Sequence, residues 1–218
     1  MSSETPTIYL DNAAATEVDP LVAAAMAPYL GERFANPSSI HDAGRQARAA
    51  VETARTAIAG LFGARHDEIV FTSGGTESNN LAILGAARAA KGSGGRILVS
   101  AIEHHSVLRP VEHLAEREGF SATLIGVDRF GWVNPEEVEK AIVPGTVLVS
   151  VQYANNEVGT VQPIAAIAKI IRRARKKFGG SHPLLHVDAC QAAGAFALDV
   201  RELGVDLMSV NGAKVFGP

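Results

Sequence analysis

Residues 146–151 read TVLVSV, an uncharged run in which apolar side chains fill successive positions instead of alternate ones. A strand of this kind is buried on both faces, which is typical of a parallel sheet that helices cover on each side. Five further apolar runs, which we also predict to be strands, lie at 69–71, 96–100, 122–125, 184–187 and 207–210.

Alanine-rich segments with helical periodicity separate these runs. Pro135 follows Asn134 and Pro163 opens the next segment, and proline is favoured in the first turn of a helix. Alternating strands and helices predict an α/β fold, a mostly parallel sheet with helices on both faces in a three-layer sandwich. The helices are predicted at 42–61, 76–90, 106–118, 135–142 and 163–178.

Composition is that of an ordinary globular protein and excludes several function classes. The chain has 218 residues, 47% of them hydrophobic, and its net charge of −3 offers no basic surface to nucleic acid. No signal peptide is recognisable, and no apolar run reaches the roughly 20 residues that span a bilayer. Cys190 is the single cysteine, which fits a reducing compartment. We therefore expect a cytoplasmic protein without nucleic-acid or membrane partners.

Polar residues collect directly after the predicted strands. Ligands bind at the carboxyl ends of the strands in an open parallel sheet, so we expect these residues to converge on one site. They are Ser73–Glu77, Glu103–His105, Asn155–Glu157, Asp188–Gln191 and Asn211–Lys214.

A glycine pair joins the first predicted strand to a helix in the stretch Ser73–Thr76. Glycines let the backbone approach an anion, the free amides of the first helical turn point at it, and the Thr76 hydroxyl adds a donor. An ordinary turn with Thr76 as the helix N-cap is the alternative. The spacing matches neither the P-loop nor the dinucleotide-binding pattern, which disfavours ATP and NAD.

Asp188 follows a hydrophobic strand and is expected to be nearly buried, where a carboxylate is costly unless it is paired. It could pair with a protonated ring nitrogen, which would turn a pyridine ring into an electron sink. Two alternatives remain open. Asp188 could form a metal site with His186 and Cys190, or it could cap a helix that begins near Cys190.

Other polar residues at the strand ends suit an aromatic ligand. His104 could stack on a ring or move protons, and Asn155 and Gln191 are amides suited to a phenolic oxygen. Lys214 could form an imine with an aldehyde, although an isolated lysine in a turn is usually solvated. The conjunction of these groups in the order of successive strands favours a site for a phosphorylated, electron-poor aromatic ring.

With these groups in this order, the sequence resembles the fold-type-I enzymes that use pyridoxal 5′-phosphate (PLP). It is most similar to the cysteine desulfurases of the class-V aminotransferase family. The motifs that carry the resemblance are Tyr9–Thr16, Asn36–His41, Phe71–Asn80, Glu103-His104, Asn155–Gly159, His186–Gln191 and the stretch that contains Lys214.

The resemblance implies roles for individual residues. Asp188 would pair with the pyridinium nitrogen, and His104 and Lys214 would be catalytic, the first stacked on the ring and the second as the Schiff-base lysine. Asn36 and His41 are implied on the substrate side. The implied cofactor-binding residues are Gly75, Thr76 and Asn211 at the phosphate, Asn155 and Gln191 at the ring hydroxyl, and His104, Asp188 and Lys214.

The activity that the resemblance implies is removal of sulfur from L-cysteine, which gives L-alanine and an enzyme persulfide. The sulfur would pass to a scaffold or thiolation protein in iron–sulfur cluster assembly or tRNA thiolation. A homodimer is implied as well. The alternatives are a selenocysteine lyase or another class-V PLP enzyme, and a truncated homologue without catalytic activity.

Two residues near the lysine depart from the family pattern. The family usually has Ser-x-His-Lys, whereas this chain has Asn211 and, directly before Lys214, Ala213. Asn211 can still donate to a phosphate, but Ala213 cannot replace the histidine. We therefore expect the phosphate grip to be weaker by one side-chain contact, a loss of about 1–3 kcal/mol. Phe216 stands where tyrosine is common.

The resemblance extends over nearly the whole chain but over only the first half of the family's length. We expect residues 1–15 to form an N-terminal segment and residues 16–218 to form the PLP-binding large domain, incomplete at its C-terminus and without the small domain. The nucleophilic cysteine and the arginine that binds the substrate carboxylate are expected in the missing half. Cys190 lies on the cofactor side and is not expected to replace that cysteine.

Overall fold

The computed structural model describes residues 8–90 and 95–218, which form an α/β fold around a parallel sheet. In the described residues the sheet has five strands in the order β2-β1-β3-β4-β5, and every neighbouring pair is parallel. This arrangement confirms the predicted fold class. The strands are β1 (Arg96–Ser100), β2 (Ser121–Ile125), β3 (Thr146–Ser150), β4 (Leu184–Asp188) and β5 (Leu207–Ser209).

The predicted helices are also present, with ends that lie within one residue of the predicted ones. Short 3-10 turns at Ala27–Leu30, His66–Glu68 and Gly212–Lys214 accompany them. The α-helices are α1 (Pro20–Met26), α2 (Asp42–Leu61), α3 (Gly75–Ala89), α4 (His105–Arg117), α5 (Pro135–Ala141), α6 (Ile164–Phe178) and α7 (Val200–Leu203).

Helices cover both faces of the sheet, which explains the unbroken apolar runs of its strands. Adjacent residues Ile97 and Leu98 of β1 are fully buried in different clusters. Ile97 packs with Ile83 of α3 and Val107 of α4, whereas Leu98 belongs to the cluster that contains Ile167 of α6. Side chains on a strand alternate between the two faces, so both must be apolar when both are covered.

The prediction of a strand at Ile69–Phe71 was wrong. These residues form a loop. The Arg55 guanidinium donates to the carbonyl of Ile69 and lies 4.9 Å from the centre of the Phe71 ring, while Val70 is 67% exposed. A groove of about 560 Å³ separates this loop from β5. An apolar run becomes a strand only where a neighbouring strand pairs with its backbone, and none lies beside it in the described residues.

No helix in the described parts of the chain combines the length and apolar character that crossing a membrane requires. Residues 1–7 of the predicted N-terminal segment lie outside the described residues.

Candidate cofactor site

A cleft of about 570 Å³ opens where β1, β3, β4 and β5 end and where α3 begins. It lies at the carboxyl edge of the sheet, where the sequence predicts a ligand. Asn155 is the one implied cofactor-binding residue that does not line it. The others, which do, are Gly75, Thr76, His104, Asp188, Gln191, Asn211 and Lys214.

The N-terminus of α3 forms one wall of the cleft. Gly74 precedes the helix with φ of 151°, a backbone conformation that favours glycine, and the helix begins at Gly75. Thr76 is therefore inside the helix and is not its N-cap, contrary to the alternative weighed from the sequence. A Cβ atom on Gly75 would lie 2.8 Å from Sγ of Cys190, so a larger residue would displace that side chain. The exposed amides of the first turn attract an anion.

Asp188 ends β4 at the base of the cleft and is only 4% exposed. Its Oδ2 accepts a hydrogen bond from Nδ2 of Asn79 at 2.8 Å, and its Oδ1 accepts one from the Cys190 amide at 3.0 Å. The residues after Cys190 form turns and not a helix, so helix capping does not explain this carboxylate. A buried carboxylate with two neutral donors still favours a cationic partner.

His104 is oriented by the residues around its Nδ1 atom. The Ser106 amide donates to Nδ1 at 3.1 Å, and Oγ of Ser106 lies 2.7 Å from the same atom. Because Nδ1 accepts from the Ser106 amide it carries no proton, so the hydroxyl, which accepts from Asn79 at 2.9 Å, can donate its own hydrogen to Nδ1. In neutral His104 the proton is therefore on Nε2. Asn79 thus connects the histidine to Asp188.

Lys214 lies in the cleft, opposite the N-terminal segment. Its Nζ donates to the carbonyl oxygens of Ala13 at 2.5 Å and Ala14 at 2.6 Å. Gln191 donates to the Ala13 carbonyl as well, at 2.7 Å. Directly after the segment, the amide of Thr16 donates to the carbonyl of Ala213 in the lysine loop at 2.9 Å. The N-terminal segment is therefore part of the site.

The Cys190 thiol is packed and not activated. Its Sγ is close to Gly75, and burial raises the pKa of the thiol, with the negative charge of Asp188 adding to the effect. A raised pKa suppresses the thiolate, which is the reactive form.

Three residues singled out from the sequence lie elsewhere. Oδ1 of Asn155 accepts from the amides of residues 157 and 158 in its own loop, and its Nδ2 donates at 3.1 Å to the carbonyl of Ile102, which follows β1. Its neighbour Asn156 lines the cleft. Asn36 and His41 line a separate cleft of about 980 Å³ between the segment 29–36 and α2.

His186 has a structural role in the core, where both of its ring nitrogens contact serine side chains. It is fully buried, its Nδ1 lies 2.8 Å from Oγ of Ser150, and its Nε2 lies 3.3 Å from Oγ of Ser209. Burial lowers its pKa to about 4. Both ring nitrogens are engaged, and in residues 8–90 and 95–218 no group of three His, Cys, Asp or Glu side chains is arranged to hold a metal ion.

Asn79 is the residue whose importance the sequence analysis missed. It is 1% exposed, and it lies on the buried face of α3 together with Gly75, Ile83 and Ala87. A signal was present in the sequence, because a polar residue at helical spacing among apolar ones marks a buried hydrogen-bonding group.

Comparison with known proteins agrees with this geometry. The sequence profile of the family described as Aminotransferase class-V matches residues 8–218. A relative named cysteine desulfurase IscS from Dictyoglomus turgidum is 47% identical over 211 residues, which are 97% of this chain and 52% of that protein. One of the same name from Neisseria meningitidis is 48% identical over 219 residues, which cover 100% of this chain and 52% of the relative. The chain thus spans about half the length of these relatives.

Solved structures show the same fold. A structure described as SspA in complex with cysteine superposes with a TM-score of 0.89 at 39% identity, over 97% of this chain and 59% of that one. An apo cysteine desulfurase from Thermococcus onnurineus NA1 gives a TM-score of 0.85 at 33% identity, over 97% of this chain and 51% of that one. The match to the family profile covers nearly all of the described fold and all of the cleft. The chain therefore belongs to the class-V aminotransferase family.

Proposed function

We propose that this chain supplies the cofactor-binding part of a PLP-dependent cysteine desulfurase, with residues 16–218 as the large domain and residues 1–15 as its N-terminal segment. The observation that carries the proposal is the convergence of Lys214, Asp188 and the N-terminus of α3 on one cleft. The relatives named above are cysteine desulfurases, and one similar structure is described with cysteine. L-Cysteine is therefore the substrate we propose.

The residues of the cleft fit the three reactive parts of PLP. The first turn of α3, with the Thr76 hydroxyl, offers donors to the phosphate dianion. Asp188 is buried, and its carboxylate accepts hydrogen bonds from the neutral amides of Asn79 and Cys190, so it can hold a positive ring nitrogen. Lys214 supplies a primary amine for the aldehyde. The cleft volume of about 570 Å³ is ample for a ligand of this size.

The protein groups prepare this chemistry in separate ways. When bound, PLP supplies a ring that withdraws electrons from the substrate carbon. Asp188 keeps the ring nitrogen protonated, because loss of that proton would leave the buried carboxylate unpaired. His104, with its proton on Nε2, offers a flat surface to the ring and a group that can donate a proton. Lys214 must leave the carbonyls of Ala13 and Ala14 before its amine can react.

We propose that the thiol that accepts the sulfur is not Cys190. This is the single cysteine of the 218 residues, and its packed, protonated thiol is a poor nucleophile. The thiol that accepts the sulfur is then provided by a cysteine other than the one in these 218 residues. Sustained alanine formation from L-cysteine by these 218 residues alone would contradict this part of the proposal.

Cofactor binding without turnover is a second candidate function, and the lysine loop favours it. Ala213 stands where the family has a histidine, and Oδ1 of Asn211 accepts from the Ala213 amide at 3.0 Å. Nδ2 of Asn211 can donate to a phosphate, but Ala213 has no side-chain donor, which weakens the grip relative to the usual motif. A selenocysteine lyase would use the same cleft.

We further propose that the protein is a cytoplasmic homodimer that delivers sulfur to an acceptor protein. Support for a second subunit comes from apolar side chains near the N-terminus, since Leu10, Leu21 and Phe34 are each at least 80% exposed. Large apolar side chains that remain exposed in the same part of the sequence are of the kind that a protein interface buries.

The proposed function is tested by the absorbance of the purified chain after PLP is added. We expect the band of an imine, because Lys214 is the lysine that lines the cleft. Lys214→Ala is expected to leave only the spectrum of the free aldehyde. Lys177→Ala is the matched control and should keep the band, since Lys177 lies in the last turn of α6. A wild-type chain without the band, or a band that survives in Lys214→Ala, would overturn the assignment.

A further inference from the structure

Glu103 is a buried carboxyl that lies just behind the proposed cofactor cleft. It precedes His104, which lines the cleft, and it is 6% exposed. Its Oε1 accepts from the Ser100 hydroxyl at 2.9 Å and from the backbone amide of Gln152, another residue of the cleft wall. Its Oε2 is buried and has no hydrogen-bond partner in the part of the chain that the structure describes. An ionised carboxylate in this position would be costly.

The charge that acts on Glu103 is that of Asp188. Burial is the larger cause and the negative charge of Asp188 the second, and together they raise the pKa of Glu103 to about 8. The other titratable groups around Asp188 are His186 on the same strand, neutral because burial lowers its pKa to about 4, and the side chains that line the cleft, which are Asp11, His104, Cys190 and Lys214. No cation therefore pairs directly with Glu103 among these groups.

We propose that Glu103 is a second buried carboxyl of the cofactor site, one that carries a proton in the protein without cofactor, so that the buried negative charge among the described residues of the site is that of Asp188. The proton is on Oε2, because Oε1 already accepts two hydrogen bonds. Glu103 is a positioning residue, since it acts on a bound ring only through Asp188 and through the Gln152 backbone.

This assignment has a consequence for ligand binding. A cationic ring nitrogen that pairs with Asp188 reduces the repulsion which Glu103 experiences, so Glu103 becomes easier to ionise. Binding near pH 8 should then release protons to solvent. If the pKa of Glu103 falls by one unit on binding, the affinity of the wild type should rise by about fivefold between pH 7 and pH 9, relative to a variant that is always neutral. The identity of the cation rests on the proposed function, whereas the proton on Glu103 in the empty protein does not.

Infrared spectroscopy of the protein without cofactor tests the first step directly. We expect the carbonyl band of a protonated carboxylic acid at pH 7, lost as the pH rises through about 8. Glu103→Gln should lack the band. Glu157→Gln, which changes an exposed carboxyl, is the control and should keep it. A spectrum without this band at pH 7, or a band that persists in Glu103→Gln, would overturn the proposal.

Calorimetric titration with PLP at pH 8 tests the second step, in buffers with different enthalpies of ionisation. Subtracting the protons released by Glu103→Gln from those released by wild type isolates the contribution of Glu103, because Lys214 and the ring contribute to both. We expect a positive difference and nearly equal affinities at pH 7. Equal proton release would contradict the coupling to Asp188. If neither protein binds PLP, the proposed function fails, and the infrared titration alone decides on Glu103.

Discussion

Asp188→Ala is expected to weaken PLP binding by about 3–5 kcal/mol, which is roughly a hundred- to four-thousandfold in the dissociation constant. The reason is that Asp188 is the buried anion at the base of the cleft, 4% exposed, and a protonated ring nitrogen would remain there without a counter-charge. The measurement is a titration of the cofactor spectrum at pH 7.5. Asp42→Ala removes an aspartate whose side chain is 85% exposed in α2, and it should bind as wild type does.

Asp188→Asn separates the loss of charge from damage to the fold. An asparagine keeps the acceptor for the Cys190 amide, which is 3.0 Å from Oδ1. Asn79 can rotate its amide and present Oδ1, which has no partner in the described residues, to the new amide nitrogen. We therefore expect Asp188→Asn to fold and still to bind PLP as weakly as Asp188→Ala. Wild-type affinity in Asp188→Asn would show that the charge is not what holds the ring.

Glu103→Gln is expected to change how stability depends on pH. The pKa of Glu103 is raised from 4.5 to about 8 by burial and by Asp188, so the folded state binds the extra proton between these values. The contribution of Glu103 to the free energy of unfolding is complete below pH 4.5. It is lost as the pH rises to 8, at about 1.4 kcal/mol per pH unit. The pKa of His186 is lowered from 6.5 to about 4, so its contribution is complete above pH 6.5 and is lost on acidification. Of these two groups, Glu103 is the one whose contribution changes between pH 6.5 and 8.

Urea unfolding without cofactor at pH 6.5 and pH 8 measures this effect. We expect the free energy of unfolding of the wild type to fall by about 2 kcal/mol over this interval, and that of Glu103→Gln to stay nearly constant. Below pH 6.5 the variant should lose stability more steeply than the wild type, because the opposing contribution of Glu103 is gone. Parallel curves for the two proteins would show that Glu103 is ionised in the folded state.

The sequence predicted the strands correctly where successive apolar residues indicated that both faces of a strand are buried. The run at Thr146–Ser150 is apolar at successive positions, and the structure places it at the centre of the sheet. The polar residues after β1, β3, β4 and β5 converge because the ends of parallel strands share one edge. The loop at Ile69–Phe71 shows the limit. Its composition suits a strand, but pairing depends on a neighbour that local sequence does not report.

Details of side-chain direction were also beyond the sequence. Asn155 and Asn156 are adjacent and chemically identical, yet Asn155 closes its own loop while Asn156 lines the cleft. The same holds for Glu103, whose place in the motif before His104 gives no sign that Oε2 is buried without a partner. Such features depend on which partners surround each side chain in the folded chain, so only the folded geometry reveals them.

The most direct test of the central claim is to reduce the PLP-loaded chain with borohydride and to map the modified peptide by mass spectrometry. The account predicts a single pyridoxyl group on Nζ of Lys214, the amine that the structure places in the cleft with Asp188 and the N-terminus of α3. Modification of another lysine, or none at all under saturating cofactor, would contradict it.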